Sequence, residues 1–179
     1  MEYVVPLGIL VAFMAWIVAV FTRLHHLHHV AAEAWVRWSR ATRYRNECLA
    51  EFTAQFSGHL PREDMRSRNL RRLTDDSSRA LDTHPELPER EDIRILNRAE
   101  KSLRRVVVSA VQAMENSAPM RGDALLNELS SRVSLSLFEQ DEFTRTFNRS
   151  VGHYNSALEA PGARLVAGMF GYVPLEEMR

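Results

Sequence analysis

The chain has 179 residues, with 23 basic and 23 acidic side chains and no net charge at neutral pH. Such a balance argues against a nucleic-acid binder, which concentrates positive charge on one face. A single cysteine excludes an intrachain disulfide.

Residues 3–22 are twenty consecutive uncharged, mostly apolar residues. At about 1.5 Å rise per residue, a helix of that length covers roughly 30 Å, the thickness of a bilayer's hydrocarbon core. Pro6 falls in the first turn, where its missing N–H costs little. Gly8 is tolerated in membrane helices. A cleaved signal peptide needs a basic leader and a shorter apolar core. Here only Met1 and Glu2 precede a long run. Residues 3–22 are therefore predicted to be a single transmembrane anchor. Arg23, Arg37, Arg40, Arg43 and Arg45 follow it against only Glu33, and no basic residue precedes it. The positive-inside rule then places the N-terminus outside and the body in the cytoplasm.

Just past the anchor stands His25-His26-Leu27-His28-His29. On a helix, His25 with His28 or His29, and His26 with His29, lie on shared faces, and imidazoles so placed suit zinc, copper or nickel. Two ligands from one helix fall short of the usual three or four. Contact with lipid headgroups, or a plain polar flank, is the simpler reading; a pH-sensing role is a third.

The apolar stripe Leu24, Leu27, Ala31, Ala34, Trp35, Trp38, Cys48, Leu49, Phe52 and Phe56 steps by threes and fours, as an amphipathic helix does. It predicts a first helix running unbroken from the anchor to about Gly58. Trp35 and Trp38 read as core rather than a ligand platform, and Cys48 as a small buried hydrophobe. A second, weaker helix carries Met65, Leu70, Leu73, Ala80 and Leu81 and ends before Pro85 and Pro88. The arginines of 62–72 are interleaved with Glu63 and Asp64 and followed by Asp75 and Asp76. They read as a solvated face, not a phosphate site. A third helix carries Ile93, Leu96, Ala99, Leu103, Val106, Val107, Ala110, Val111 and Met114. Pro119 and Gly122 close it. Arg121-Gly122-Asp123 reads as turn chemistry, with glycine for the turn and Asp123 as helix cap. A fourth helix carries Leu126, Leu129, Val133, Leu137, Phe143, Phe147, Val151, Tyr154 and Leu158, and Pro161-Gly162 stops it. The acidic run Glu139, Asp141 and Glu142 reads as a solvated face, and the sequon Asn148-Arg149-Ser150 as chance.

No segment alternates with period two, so no strand is predicted. The expectation is an all-α fold: an anchor (3–22), an up-and-down antiparallel four-helix bundle (23–160) and an apolar tail (161–179). In that topology the fourth helix returns toward the membrane. The tail, rich in residues such as Leu165, Val166, Phe170 and Tyr172, would then pack along the bundle or touch the lipid interface.

Three stretches resemble the LemA family of bacterial membrane-anchored helical proteins. The first is the anchor leading into Leu24, Leu27 and Glu33-Ala34-Trp35, then Arg45, Glu47 and Leu49. The second is Phe147-Asn148 with Tyr154-Asn155. The third is the ending, with Pro161, Leu165-Val166-Ala167, Phe170-Gly171-Tyr172 and Pro174. The middle matches in helical pattern and in His84-Pro85-Glu86-Leu87. Trp35, Arg45, Tyr154, Asn155, Pro161 and Gly171 are the signature positions. The chain departs from the family at Ala50-Glu51, where a proline-asparagine pair is usual, and in its ending Leu175-Glu176-Glu177-Met178. The resemblance implies an anchored helical bundle and no established enzyme activity. Magnetosome-membrane assembly proteins among the family's relatives imply a scaffolding role.

The residues point the same way. There is no glycine-rich phosphate loop, nucleophile elbow or His-Glu-x-x-His. The sequence predicts a non-enzymatic, membrane-anchored scaffold or adaptor that binds a protein partner or itself, with no cofactor and no evident small-molecule substrate. The alternative is a metal- or pH-responsive accessory built on His25, His26, His28 and His29.

Overall fold

The computed structural model describes residues 4–61, 64–84 and 86–179, with the side chains of the first helix described from Gly8 onward. Met1, Glu2, Tyr3, Arg62, Glu63 and Pro85, on which the expectations above partly rest, lie outside the described residues. All regular structure among the described residues is helical: α1 Val4–Gly58, α2 Met65–Thr83, α3 Arg90–Glu115, α4 Ala118–Arg121, α5 Ala124–Glu159 and α6 Ala163–Phe170.

α1 runs 55 residues without a break because no proline falls between Pro6 and Pro61. Its first part is exposed and apolar, with Ile9 67% and Val11 61% accessible. From Gly8 it holds one stretch long and apolar enough to cross a membrane. From Leu24 on, the stripe is buried: Trp35, Trp38, Leu49, Phe52 and Phe56 are all at 0% exposure. One helix is thus apolar and exposed in its first third and a core element in the rest.

The other helices start and stop by local chemistry. Asp64 caps α2, accepting from the Arg66 N–H at 2.8 Å. Glu91 and Asp92 sit in the first turn of α3, where the helix dipole favours negative charge. Asp123 caps α5, accepting from the Leu126 N–H at 3.1 Å. Gly122 does not supply a left-handed turn. Its φ is −80°, a value any residue adopts, and the reversal is made by the short helix α4 instead. Glycine's freedom is used after Pro161 and after α6, where Gly162 and Gly171 have φ 83° and 74°. At the second, the Tyr172 N–H bonds back to the Ala167 carbonyl at 3.0 Å and closes the helix end.

Three core clusters stack along α1. The first joins Leu24 to Tyr154, Leu158, Val166 and Ala167, with Ile17, Val20 and Phe21 against it. The second joins Trp35 and Trp38 to Leu81, Ile93, Leu96, Phe147, Val151 and Met178. The third joins Leu49, Phe52 and Phe56 to Leu70, Leu103, Met114, Leu126 and Val133. α2 meets the third cluster before the second, α3 the second before the third, and α5 passes the third, second and first in turn. α1 packs chiefly on α5 and on α2, and α2 on α3, while α3 and α5 barely approach each other.

Candidate functional site

Between the second and third clusters lies a polar layer to which all four long helices contribute. Arg45 of α1, 2% exposed, is the centre. Its guanidinium pairs with both carboxylate oxygens of Glu100 on α3; Nη2 donates to Oε1 at 3.0 Å, and Nη1 to Oε2. Nη1 also donates to Gln140 Oε1 of α5 at 2.8 Å, and Nη2 to Ser77 Oγ of α2 at 3.1 Å. Ser77 and Gln140 donate in turn to Glu100, at 2.8 and 3.0 Å. Burial pushes the Glu100 carboxyl up, but the Arg45 charge and these hydrogen bonds outweigh it and hold the group below its ordinary value. A buried charge pair needs such partners, because desolvation alone costs several kcal/mol per ion. Every polar group named in the layer has a hydrogen-bond partner, so the layer fixes how the four helices sit against one another.

Beside it, the gap between α3 and α5 opens as a groove, part of which the chain's own ending fills. Residues 173–179 follow α6 without helical structure. Three asparagines hold this segment by its backbone. Asn155 donates to the Leu175 carbonyl and accepts from the Leu175 N–H, both at 2.9 Å. Asn148 does the same with Met178, at 2.6 and 2.8 Å. Asn97 of α3 donates to the Glu177 carbonyl at 3.0 Å and accepts from the Arg179 N–H at 2.7 Å. Met178 is 4% exposed in the second core cluster, with Leu175 packed on it. Glu176 sits between Arg90 and Arg94, at 3.5 and 3.8 Å.

Where α1 leaves its apolar stretch, the histidines diverge. His25 and His28 turn toward the tail: His25 Nδ1 lies 3.4 Å from the Tyr172 hydroxyl, and the His28 ring meets Tyr154 edge-on at 5.5 Å. His26 lines a separate cavity with His153, and His29 pairs with Glu33 at 3.4 Å. Among the described residues no group of three His, Cys, Asp or Glu is placed to hold a metal ion. Burial, then the charges of His25 and His29, hold His28 below its ordinary pKa. Tyr154 donates to the Val173 carbonyl at 3.0 Å, and its phenol is pushed up to about 12 by burial, then by Tyr172.

The tail has one buried and one exposed face. Val166 and Ala167 are buried against the first cluster, while Leu165, Met169, Phe170 and Val173 are 51–68% exposed. Gly162 abuts Trp16 of the apolar stretch, so the exposed face stands beside the end of that stretch.

Of the signature positions, Trp35 is core, Arg45 centres the polar layer, Tyr154 and Asn155 hold the tail, and Pro161 and Gly171 bound α6. Glu100, Gln140 and Asn97 stand outside every motif quoted from the sequence, and Asn148 stands only in the Phe147-Asn148 stretch and the sequon. A signal existed for two of them. Glu100 lies four residues after Leu96 and three before Leu103, and Gln140 three after Leu137 and three before Phe143. Each is a polar residue in step with an apolar stripe. Comparison with protein-family models, curated proteins and solved structures finds no match.

Proposed function

We propose that the chain is a non-enzymatic scaffold or adaptor that stands on a membrane by one span and binds a protein partner, or itself, at the bilayer surface. The observation that carries this reading is α1: an exposed apolar stretch passes without a break into the most buried helix of the body. A core helix of a water-soluble protein would have packed Ile9 and Val11, which are exposed here. In this reading α1, α2, α3 and α5 form an up-and-down antiparallel four-helix bundle, in keeping with the LemA resemblance. The exposed face of α6 then lies at the lipid interface, and Arg23, Arg37 and Arg40 hold the body on the cytoplasmic side. Cross-linking in native membranes tests the scaffold. A stable adduct supports it, and a lone monomer under all conditions overturns it. Sidedness is read by a Ser102→Cys thiol in a Cys48→Ala background, since Cys48 itself is buried. Labelling from outside intact cells overturns the cytoplasmic assignment.

A second reading, a pH- or metal-responsive accessory, is favoured by one observation: His25 meets the tail at Tyr172, and His28 packs on Tyr154 of α5, whose hydroxyl holds the tail at Val173. Replacing all four histidines with Asn tests it. Unchanged metal content and an unchanged response between pH 5 and 8 would remove it.

A further inference from the structure

We propose that the α3–α5 groove is a binding site for an extended acidic peptide of a partner protein, and that residues 173–179 are its resident occupant in cis. The proposal rests on the reading of the chain as a protein-binding module and names the surface and the partner's chemistry.

Three observations carry it. First, the groove reads backbone. Asn148 and Asn155 each take both the N–H and the C=O of one tail residue. Their separation along α5, seven residues or about 10.5 Å of helix, matches the roughly 10 Å that three extended residues span between Leu175 and Met178. Such main-chain pairing gives affinity without dictating side chains; selectivity comes from the flanking pockets. Those pockets ask for an apolar residue, an acidic residue after it, and a second apolar residue three positions from the first, as in Leu175, Glu176 and Met178.

Second, the groove continues past Arg179. A cavity of about 660 Å³ extends there, within the range of binding pockets. Its walls are Arg94, Arg98, Lys101 and Arg104 of α3 against Asp141 and Thr144 of α5. Its floor is Trp38 with Glu100 and Gln140 of the polar layer. Third, its charge is only partly cancelled. Glu100 is committed to Arg45, Asp141 to Arg104 and Glu176 to Arg94, Arg98 reaches Glu91 at 3.9 Å, and Lys101 has no ion-pair partner among the described residues. An acidic segment lying there would meet Arg98 and Lys101.

A tethered occupant acts at an effective concentration of about millimolar. A partner peptide therefore competes with the tail, and weakening the tail's own grip should raise the groove's affinity in trans.

The test uses the full chain in nanodiscs and a fluorescent synthetic peptide of residues 173–179. Leu175→Ser with Met178→Ser in the chain loosens the cis tail. Binding is expected to tighten at least tenfold in this variant. Asn148→Ala added to it should lose that gain, and a peptide carrying Glu176→Lys and Glu177→Lys should bind at least tenfold more weakly. On the unaltered chain, saturating peptide should speed amide exchange at Leu175 and Met178, a readout that needs no variant. No binding to the loosened chain with helix content intact, together with unchanged exchange in the unaltered chain, overturns the proposal. So does a dimer of the unaltered chain that the Leu175→Ser/Met178→Ser change dissolves, since the occupant is then a second copy. If the peptide fails while a cross-linked partner persists in membranes, the groove is wrong and the scaffold reading stands.

Discussion

Arg45 and Glu100 meet inside the protein as an ion pair with 2% and 11% of their side chains exposed. They come from α1 and α3, which otherwise share few direct contacts, so the pair is a strut across the polar layer. Arg45→Met strands a buried carboxylate and should cost about 3–5 kcal/mol of stability, read by denaturant unfolding in detergent. Replacing both with Met should recover most of that, because a buried pair exchanged for apolar volume is close to neutral. A double variant as unstable as the single would transfer the cost to the bonds of Gln140 and Ser77.

The asparagine clamps predict a local rather than a global loss. Asn155→Ala leaves the Leu175 N–H and C=O without their protein partner, at about 1–3 kcal/mol for groups that stay buried. Amide exchange at Leu175 should accelerate while the helices keep their protection. Equal acceleration throughout α5 would show that the tail supports the whole body.

Gly162 combines a left-handed φ of 83° with Trp16 Cζ2 2.5 Å from where a Cβ would stand. Gly162→Ala should therefore lower the melting temperature, since the left-handed conformation alone costs about 1–2 kcal/mol in an L-residue. Adding Trp16→Leu should return the steric part only. Full recovery would mean that the backbone conformation carries no cost.

Two groups predict pH dependence of opposite sign. Asp123 is held down to about 2, first by the Leu126 N–H, then by Gln55 and His59. A depressed carboxyl contributes stability above its ordinary value of 3.8 that is lost as pH falls toward about 2. Asp123→Asn should flatten this acid limb of a stability profile. Tyr154, ordinarily at 10 and here about 12, contributes fully below pH 10, and its contribution is lost between about 10 and 12 as the unfolded phenol ionises first. Tyr154→Phe should remove that alkaline limb. A limb unchanged in either variant refutes the corresponding assignment.

The helices were legible because their signals are local. The stripe from Leu24 to Phe56, the cap at Asp123 and the prolines at 61, 88 and 161 each act within a few residues. The polar layer was not, because Arg45, Ser77, Glu100 and Gln140 come from four helices and only their joint burial gives them meaning. Glu100 looked like one carboxylate among 23 acidic residues until Arg45 stood against it. The tail was half legible. Its apolar residues were plain. Its extended path was not, since asparagine clamps on an irregular segment leave no periodicity. α6 escaped notice because eight residues are too few for a clear stripe.

The unbroken backbone of α1 makes the body a lever. If the apolar stretch is seated in a bilayer, as proposed above, about 35 residues project beyond it, an arm of roughly 50 Å. A change in bilayer thickness is met by tilting a span. Nothing between span and body absorbs the angle, so each degree of tilt sweeps Gly58 sideways by about 0.9 Å on that arm. A bilayer that tips the span by about 20°, an ordinary tilt for such helices, carries the far end of the protein some 15–20 Å across the membrane surface. Membrane thickness would then set where this protein reaches.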